Sequence, residues 1–280
     1  MTNHKEGYFV LLIRKKRIVV LMAVLLVLAL VAGCSPGTQE EFVKIATGGT
    51  AGVYFPLGGA VAEILNKNVE GINASSESTG ASVANINMLR DQEVELAFIQ
   101  NDITYYAAYG VEMYEDDKVE GLYGISTIYP ETVQIVTLEK TGIKNINDVK
   151  GKRVAVGAAG SGTEANARQI LEAHGITYDD ITVQYLSFAE AASNLKDGNV
   201  DVAFVTAGFP TAAIMDIGSQ HEVVLLEVAE DIAEKMIAEY PFYSNIVIPA
   251  GTYADQEEDV NTVAVMAMLV VTDDMEEEMA

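Results

Sequence analysis

Residues 157–171, GAAGSGTEANARQIL, follow the short apolar run at 153–156 and lead into a segment with helical spacing. Gly157 and Gly162 keep the G-x-x-x-x-G interval of a phosphate-cradling loop, but Thr163 and Glu164 stand where such a loop has Lys and Ser or Thr. Ser161 followed three residues later by Glu164 has the form of a capping box, which satisfies two free backbone donors at a helix start. The remaining amides, with the helix dipole behind them, favour an anion. Without a lysine, and with Glu164 adding negative charge, a triphosphate is poorly neutralised; a single carboxylate needs far less. A plain, well-capped strand-to-helix turn accounts for the same residues, so the loop alone leaves both readings open.

Other turns carry similar chemistry. In GGTAGVYFP (48–56), Gly48 and Gly49 permit close backbone approach, and Thr50 and Tyr54 offer hydroxyls, although Tyr54 could equally be core. SSESTGAS (75–82) adds Ser78 and Thr79, which could cap a helix, contact a ligand, or do both. Gln100 and Asn101 end one apolar strand and Ala207 and Gly208 another. Walls of this kind are rich in neutral donors and acceptors and suit a small polar molecule. Catalytic patterns are weak: His174 lies on an apolar helical face, His221 follows a loop, and neither H-E-x-x-H nor G-x-S-x-G occurs. No metal site, cofactor or enzymatic activity is expected. Arg90, Arg153 and Arg168, the arginines beyond the leader, fall outside the turns, with Arg168 one helical turn past the first loop.

The elements that must present these turns come in two copies. Residues 43–100 read as strand, glycine turn, helix, strand, polar turn, helix, strand, and the pattern restarts at Arg153. LRDQEVELAFIQ (89–100) and LKDGNVDVAFVT (195–206) share Leu, Asp, Val, Ala and Phe at identical offsets. Strands alternating with helices predict α/β lobes with parallel strands, whose ligand sites lie beyond the carboxyl ends of the strands. The strand-like segments 129–140 and 241–253 are expected to cross between the lobes and form a hinge. A hinged cleft closes on a small ligand.

Arg14, Lys15, Lys16 and Arg17 precede the apolar run 18–32, which is short for a membrane span and has the layout of a signal peptide. VAGCS then places Cys34, the chain's single cysteine, in a lipobox-like position where lipid would anchor the protein to the membrane. Residues 34–41 form a polar tether. Cleavage before Cys34 leaves 12 basic against 40 acidic residues, which argues against nucleic-acid binding and polybasic membrane docking. No thiol remains for a disulfide or a nucleophile.

The blocks IATGGTAGVYFPLGGAVAEILN, STGASVANINMLRDQEVELAFIQND, YPETVQIV, KRVAVGAAGSGTEANARQIL and AGFPTAAI resemble the TAXI family of solute-binding proteins, which serve TRAP transporters; the likeness covers about residues 43–272. The resemblance implies a type II periplasmic-binding-protein fold of two α/β lobes with a hinged cleft. Lobe I would take residues 42–128, lobe II 129–244, and 245–280 would return to lobe I. It further implies an extracytoplasmic monomer that hands a small carboxylate or amino acid, such as glutamate, to an ion-driven permease. The ligand-facing positions would be Thr50, Tyr54, Ser78, Thr79, Gln100, Asn101, Ser161, Gly162, Thr163, Glu164, Ala207 and Gly208. Family members continue past VAVMAMLVV, whereas here Thr272 and the acids after it read as a helix start, so a truncated chain is expected. A ligand sensor coupled to a membrane receptor, or an enzyme on the same fold, are the competing readings, the enzyme disfavoured because no nucleophile–base pair is visible.

Overall fold

A computed structural model describes residues 40–273 and 275. The leader, Cys34 and almost all of the tether lie outside the described residues, as do 274 and 276–280. The chain begins β1 (Glu41–Ala46), α1 (Tyr54–Asn68), β2 (Ile72–Glu77), α2 (Ser82–Arg90), β3 (Leu96–Gln100) and α3 (Asn101–Tyr109). The long strand β4 (Leu122–Leu138) leads to β5 (Arg153–Gly157), α4 (Gly162–Ala173), β6 (Thr182–Tyr185), α5 (Phe188–Lys196) and β7 (Val202–Ala207). α6 (Ala212–Gly218), β8 (Val223–Leu226), α7 (Glu230–Glu239), β9 (Ser244–Ile248) and β10 (Val260–Thr272) complete it.

The strand order β2-β1-β3-β10-β4-β7-β5-β6 sets two equivalent triplets, β2-β1-β3 and β6-β5-β7, on either side of the antiparallel pair β10/β4. β1/β3, β5/β6 and β5/β7 are parallel, so the duplication read from the sequence is a duplication of topology. Its shared residues are core: Leu89, Val94, Ala97 and Phe98 are buried in one copy, and Leu195, Val200, Ala203 and Phe204 in the other. The triplet strands β3 and β7 are buried along their whole length, the near-continuous apolar run expected of strands covered on both faces.

β4 runs from Leu122, seven residues before the strand-like segment read from the sequence: its early residues pair with β10 and its later ones with β7 and β8. The return crossing differs from expectation. Residues 244–248 pair antiparallel with the start of β10, and β10 itself makes the crossing. Val263 and Val265 pack with β4, β5 and β7, whereas Ala267 and Val270 pack among residues of β1, β3 and α1–α3. The segment 241–253 was misassigned because a short apolar run looks the same whether it crosses or pairs at an edge. Thr272 ends β10, opposite Leu122; the acids expected to continue as a helix lie, apart from Asp273, outside the described residues.

Candidate functional site

Four strand-to-helix loops meet at the carboxyl ends of the two triplets. The β1–α1 loop faces the β6–α5 loop: a methyl on Gly52 would touch the Phe188 ring at 3.5 Å, and one on Gly49 would approach Ser187 at 3.9 Å. The β2–α2 loop faces the β5–α4 loop, where the Gly160 carbonyl accepts hydrogen bonds from the Val83 (3.1 Å) and Ala84 (3.2 Å) amides. These amides belong to the first turn of α2 and have no carbonyl within their own helix. The opposite lobe therefore supplies their acceptor, and the lobes are held closed by main-chain atoms.

Between the loops lies a cavity of about 60 Å³. Of the residues expected from the sequence, Tyr54, Thr79, Gln100, Ser161, Gly162, Thr163 and Ala207 line it. The others do not. Thr50 is exposed, and the Ser78 hydroxyl donates to the Gly48 carbonyl at 2.9 Å. Asn101 Oδ1 accepts the Met266 amide at 2.9 Å, tying α3 to β10. Gly208 lies against the Tyr129 ring.

Glu164 stands apart from the cavity. Ser161 Oγ accepts the Glu164 amide at 3.2 Å, which is the capping half of the expected motif. The Glu164 carboxylate accepts instead from the Tyr178 hydroxyl at 2.7 Å and is absent from the cavity wall. A tyrosine fourteen residues ahead, carried by the 3-10 turn Tyr178–Asp180, captures it.

The acid that does line the cavity is Glu131, on the crossing strand β4. It is buried, accepts from Tyr54 Oη at 2.6 Å and lies 3.4 Å from Tyr129 Oη. Burial pushes its carboxyl up to about 8, against the opposing effect of those phenolic donors. Burial also pushes the Tyr54 phenol upward, with the neighbouring Glu131 adding to the shift. Tyr54 is fixed by packing against Phe98, ring centroids 5.4 Å apart, and edge-on to Tyr129 at 6.4 Å. Among the described residues, no Lys, Arg or His lines the cavity. Arg90, Arg153 and Arg168 are engaged elsewhere by Asp117, Asp201 and Glu112.

Among the described residues, two buried polar atoms in the wall have no hydrogen-bond partner: Gln100 Oε1 and Thr206 Oγ1. Gln100 and Thr206 are the last positions of the repeated twelve-residue pattern, so each copy directs one unsatisfied polar side chain into the cleft. Ala81 lines the same space with φ 75° and ψ −148°, a backbone conformation that is costly for any residue but glycine. Sequence reasoning missed Glu131, Tyr129, Ser82, Ser187, Phe188 and Thr206. For Glu131 a signal existed: it is the one charged residue inside the strand-like segment 129–140 before its terminal Glu139 and Lys140.

The sequence profile of the NMT1-like family matches residues 45–280. The chain belongs to the NMT1-like family. Within that family likeness, a putative aliphatic sulfonates-binding protein of Escherichia coli (strain K12) is 30% identical over 95 residues, 34% of this chain and 30% of the relative. The alkanesulfonate-binding protein SsuA from Xanthomonas axonopodis pv. citri, solved bound to MOPS, superposes with a TM-score of 0.52 at 15% identity, over 83% of this chain and 66% of its own. A protein of Bordetella bronchiseptica RB50 gives 0.56 at 16% identity, over 84% of this chain and 65% of its own. The NMT1-like chain described here thus spans under a third of the curated relative and about two thirds of the solved ones. Its fold is the two-lobed, type II-like α/β fold of periplasmic solute-binding proteins.

Proposed function

We propose that this protein is an extracytoplasmic solute-binding protein that closes on a small polar solute and delivers it to a membrane permease. The observation that carries this reading is the cavity at the junction of four loops, with unsatisfied Gln100 and Thr206 side chains aimed into it from the two lobes. Buried polar groups are normally hydrogen-bonded, and a bound solute would supply the missing partners. The first-turn amides of α4 at Gly162 and Thr163 offer a place for an anionic head.

The TAXI-like blocks favour a carboxylate or amino acid as solute and a TRAP-type permease as partner. The binding proteins named above favour a second solute class, an alkanesulfonate, whose anionic head makes the same demand on the α4 amides. Both classes call for binding without turnover. Lipid on Cys34 would keep the protein at the membrane; replacing Cys34 with Ser should release it from membrane fractions if so.

Thermal-shift screening against amino acids, C4–C5 dicarboxylates and alkanesulfonates tests the reading. A solute at 100 times its dissociation constant adds about 2.7 kcal/mol. A saturable shift, with the solute recovered unchanged, is the expected result. The absence of any shift across the three classes, or chemical conversion of the solute, would overturn it.

A further inference from the structure

We propose that Glu131 and Gln100 work as a proton-operated pair: on capture of an anionic solute, Glu131 takes a proton from solvent and donates through it to Gln100 Oε1, which turns the Gln100 amide hydrogens toward the anion at the start of α4. This deepens the solute-binding reading and rests on it.

Charge is the first argument. Tyr54, Ser82, Gly162 and Phe188, the first residues of α1, α2, α4 and α5, all line the cavity, so four helix N-termini converge on it. Each carries a partial charge of about +0.5, which favours an anion. Among the described residues the wall holds no basic side chain, and Glu131 is its one acid. An ionised Glu131 would offset about two of the helix ends and repel the anion across a water-poor space. Protonation removes that conflict.

Hydrogen bonding calls for the same proton. Gln100 joins the two places: its amide acts as a donor to the Glu131 carboxyl, and its amide oxygen lies against Gly162. That oxygen is buried without a partner, and an anionic head, itself an acceptor, cannot supply one. A half-turn of the carboxamide exchanges its donor and its acceptor. Turned so, Gln100 presents Oε1 to Glu131 and Nε2 to the start of α4. A carboxylate would then oppose one acceptor with another, whereas a protonated carboxyl has an O–H to give. Every group is matched: Glu131 donates to Oε1, and Nε2 joins the first amides of α4 on the anion. The solute completes Gln100 through the proton it draws in.

Glu131 is placed to change protonation when the lobes close. It stands on β4 opposite Val265 of β10 and beside Thr132, which pairs with both β10 and β7. The crossing strand passes from one triplet to the other at this point, and closure strips water from it. The titratable groups that face it are Tyr54 of α1, Tyr129 of β4 and Asp102 of α3, while α4 brings only Gly162 and Thr163 to the wall. None is cationic. Burial accordingly raises the carboxyl to about 8 against the donors Tyr54, Tyr129 and Gln100. An open, solvated cleft returns it toward the ordinary glutamate value of about 4.3, so capture near neutral pH takes up about one proton.

The full chain is titrated with ethanesulfonate and with glutarate, which carry no ammonium group and stay ionised from about pH 6.5 to pH 8. Affinity is expected to fall about tenfold per pH unit over this range, the signature of one proton taken up with the solute. Calorimetry at pH 7 in buffers of different ionisation enthalpy should record that uptake directly. Glu131→Gln, whose amide donates at every pH, should lose both signals and bind at least tenfold tighter than the unsubstituted protein at pH 8. That gain should shrink in a Gln100→Ala background, which lacks the receiving oxygen; an undiminished gain would refute the pairing. Affinity that is constant or rises with pH, proton release on binding, or a slope that persists in a folded Glu131→Gln protein would overturn the proposal while leaving solute binding intact. Failure of both anions to bind would overturn it as well, and a shift with another solute in the broader screen would then show that the binding reading survives.

Discussion

Gln100 at the end of β3 and Gly162 at the start of α4 are packed so closely that a methyl group on the glycine would overlap the glutamine's amide oxygen. One residue comes from each lobe, and the contact exists only because the lobes are closed. Gly162 has an ordinary helical backbone, so alanine there is intrinsically acceptable and its cost comes from overpacking, about 1–3 kcal/mol. Gly162→Ala is expected to destabilise the closed form by this amount and to weaken solute binding at least tenfold. In a Gln100→Ala background the stability loss should largely vanish. A double-mutant cycle by urea denaturation measures it, and an unchanged loss would show that the two side chains do not meet.

Stability should fall as pH rises from about 5 to 8. Glu131 and Asp102 are both held up by burial, Glu131 to about 8 and Asp102 to about 6, so the folded protein keeps protons that the unfolded chain releases near pH 4. Their contribution is full below the ordinary carboxylate range and is lost as pH climbs through the raised values. Asp201, held down by its Arg153 hydrogen bonds, acts in the opposite sense, but only below about pH 4. The decline is on the order of a few kcal/mol. Urea midpoints measured across this range should drop, and should drop less in Glu131→Gln and Asp102→Asn proteins; midpoints that rise with pH would refute the assignment.

Asn166 of α4 is buried, donating to Asp102 Oδ2 at 3.0 Å and to Tyr243 Oη at 2.8 Å, while Tyr243 donates to Gln169 Oε1 at 2.7 Å and Gln169 to Tyr106 Oη at 3.0 Å. This chain ties α4 to α3 beneath the cleft. Asn166→Asp would set a second carboxylate against Asp102, and one of the pair must then stay protonated. The expected loss is about 3 kcal/mol at pH 7 and clearly less at pH 5, read from thermal melts at both.

Ala81→Gly should stabilise the protein by about 1 kcal/mol, since glycine adopts the observed backbone freely while alanine there costs roughly 1–3 kcal/mol. Calorimetric melting is the check. A lower melting temperature would mean that the alanine is not strained.

Gly58→Ala should have the opposite effect. A methyl at this position in α1 would collide with the methyl of Thr47, a wholly buried residue whose hydroxyl donates to the Glu77 carbonyl at 2.5 Å and so cannot easily turn away. A loss of about 1–3 kcal/mol is expected by chemical denaturation.

What could be read from the sequence divides along burial. The paired runs ending at Gln100 and Thr206 were recognisable because their shared Leu, Val, Ala and Phe residues face the core in both copies, and hydrophobic repetition marks a core. Parallel pairing and the location of the loops followed from that. The crossing made by β10 was not recognisable, because no periodicity separates a strand that bridges two lobes from β9, which pairs beside it. In the site, the loops were foreseen better than the side chains. Ser161, Gly162 and Thr163 were placed at the cleft through a helix start, which is a local feature. Glu131 was overlooked because its role depends on Tyr54, seventy-seven residues away, and Glu164 was overvalued because its capture by Tyr178 is a tertiary event.

The Gly160 carbonyl, bonded across the cleft by the Val83 and Ala84 amides, has a kinetic meaning. Escape of a trapped solute must first break those two bonds, so they contribute to the activation barrier for dissociation whatever the cargo. Because every atom involved is main-chain, no side-chain replacement at the latch other than proline at 83 or 84 deletes the bonds directly. The cavity wall could change its choice of cargo through mutation while residence time stayed under the control of the backbone.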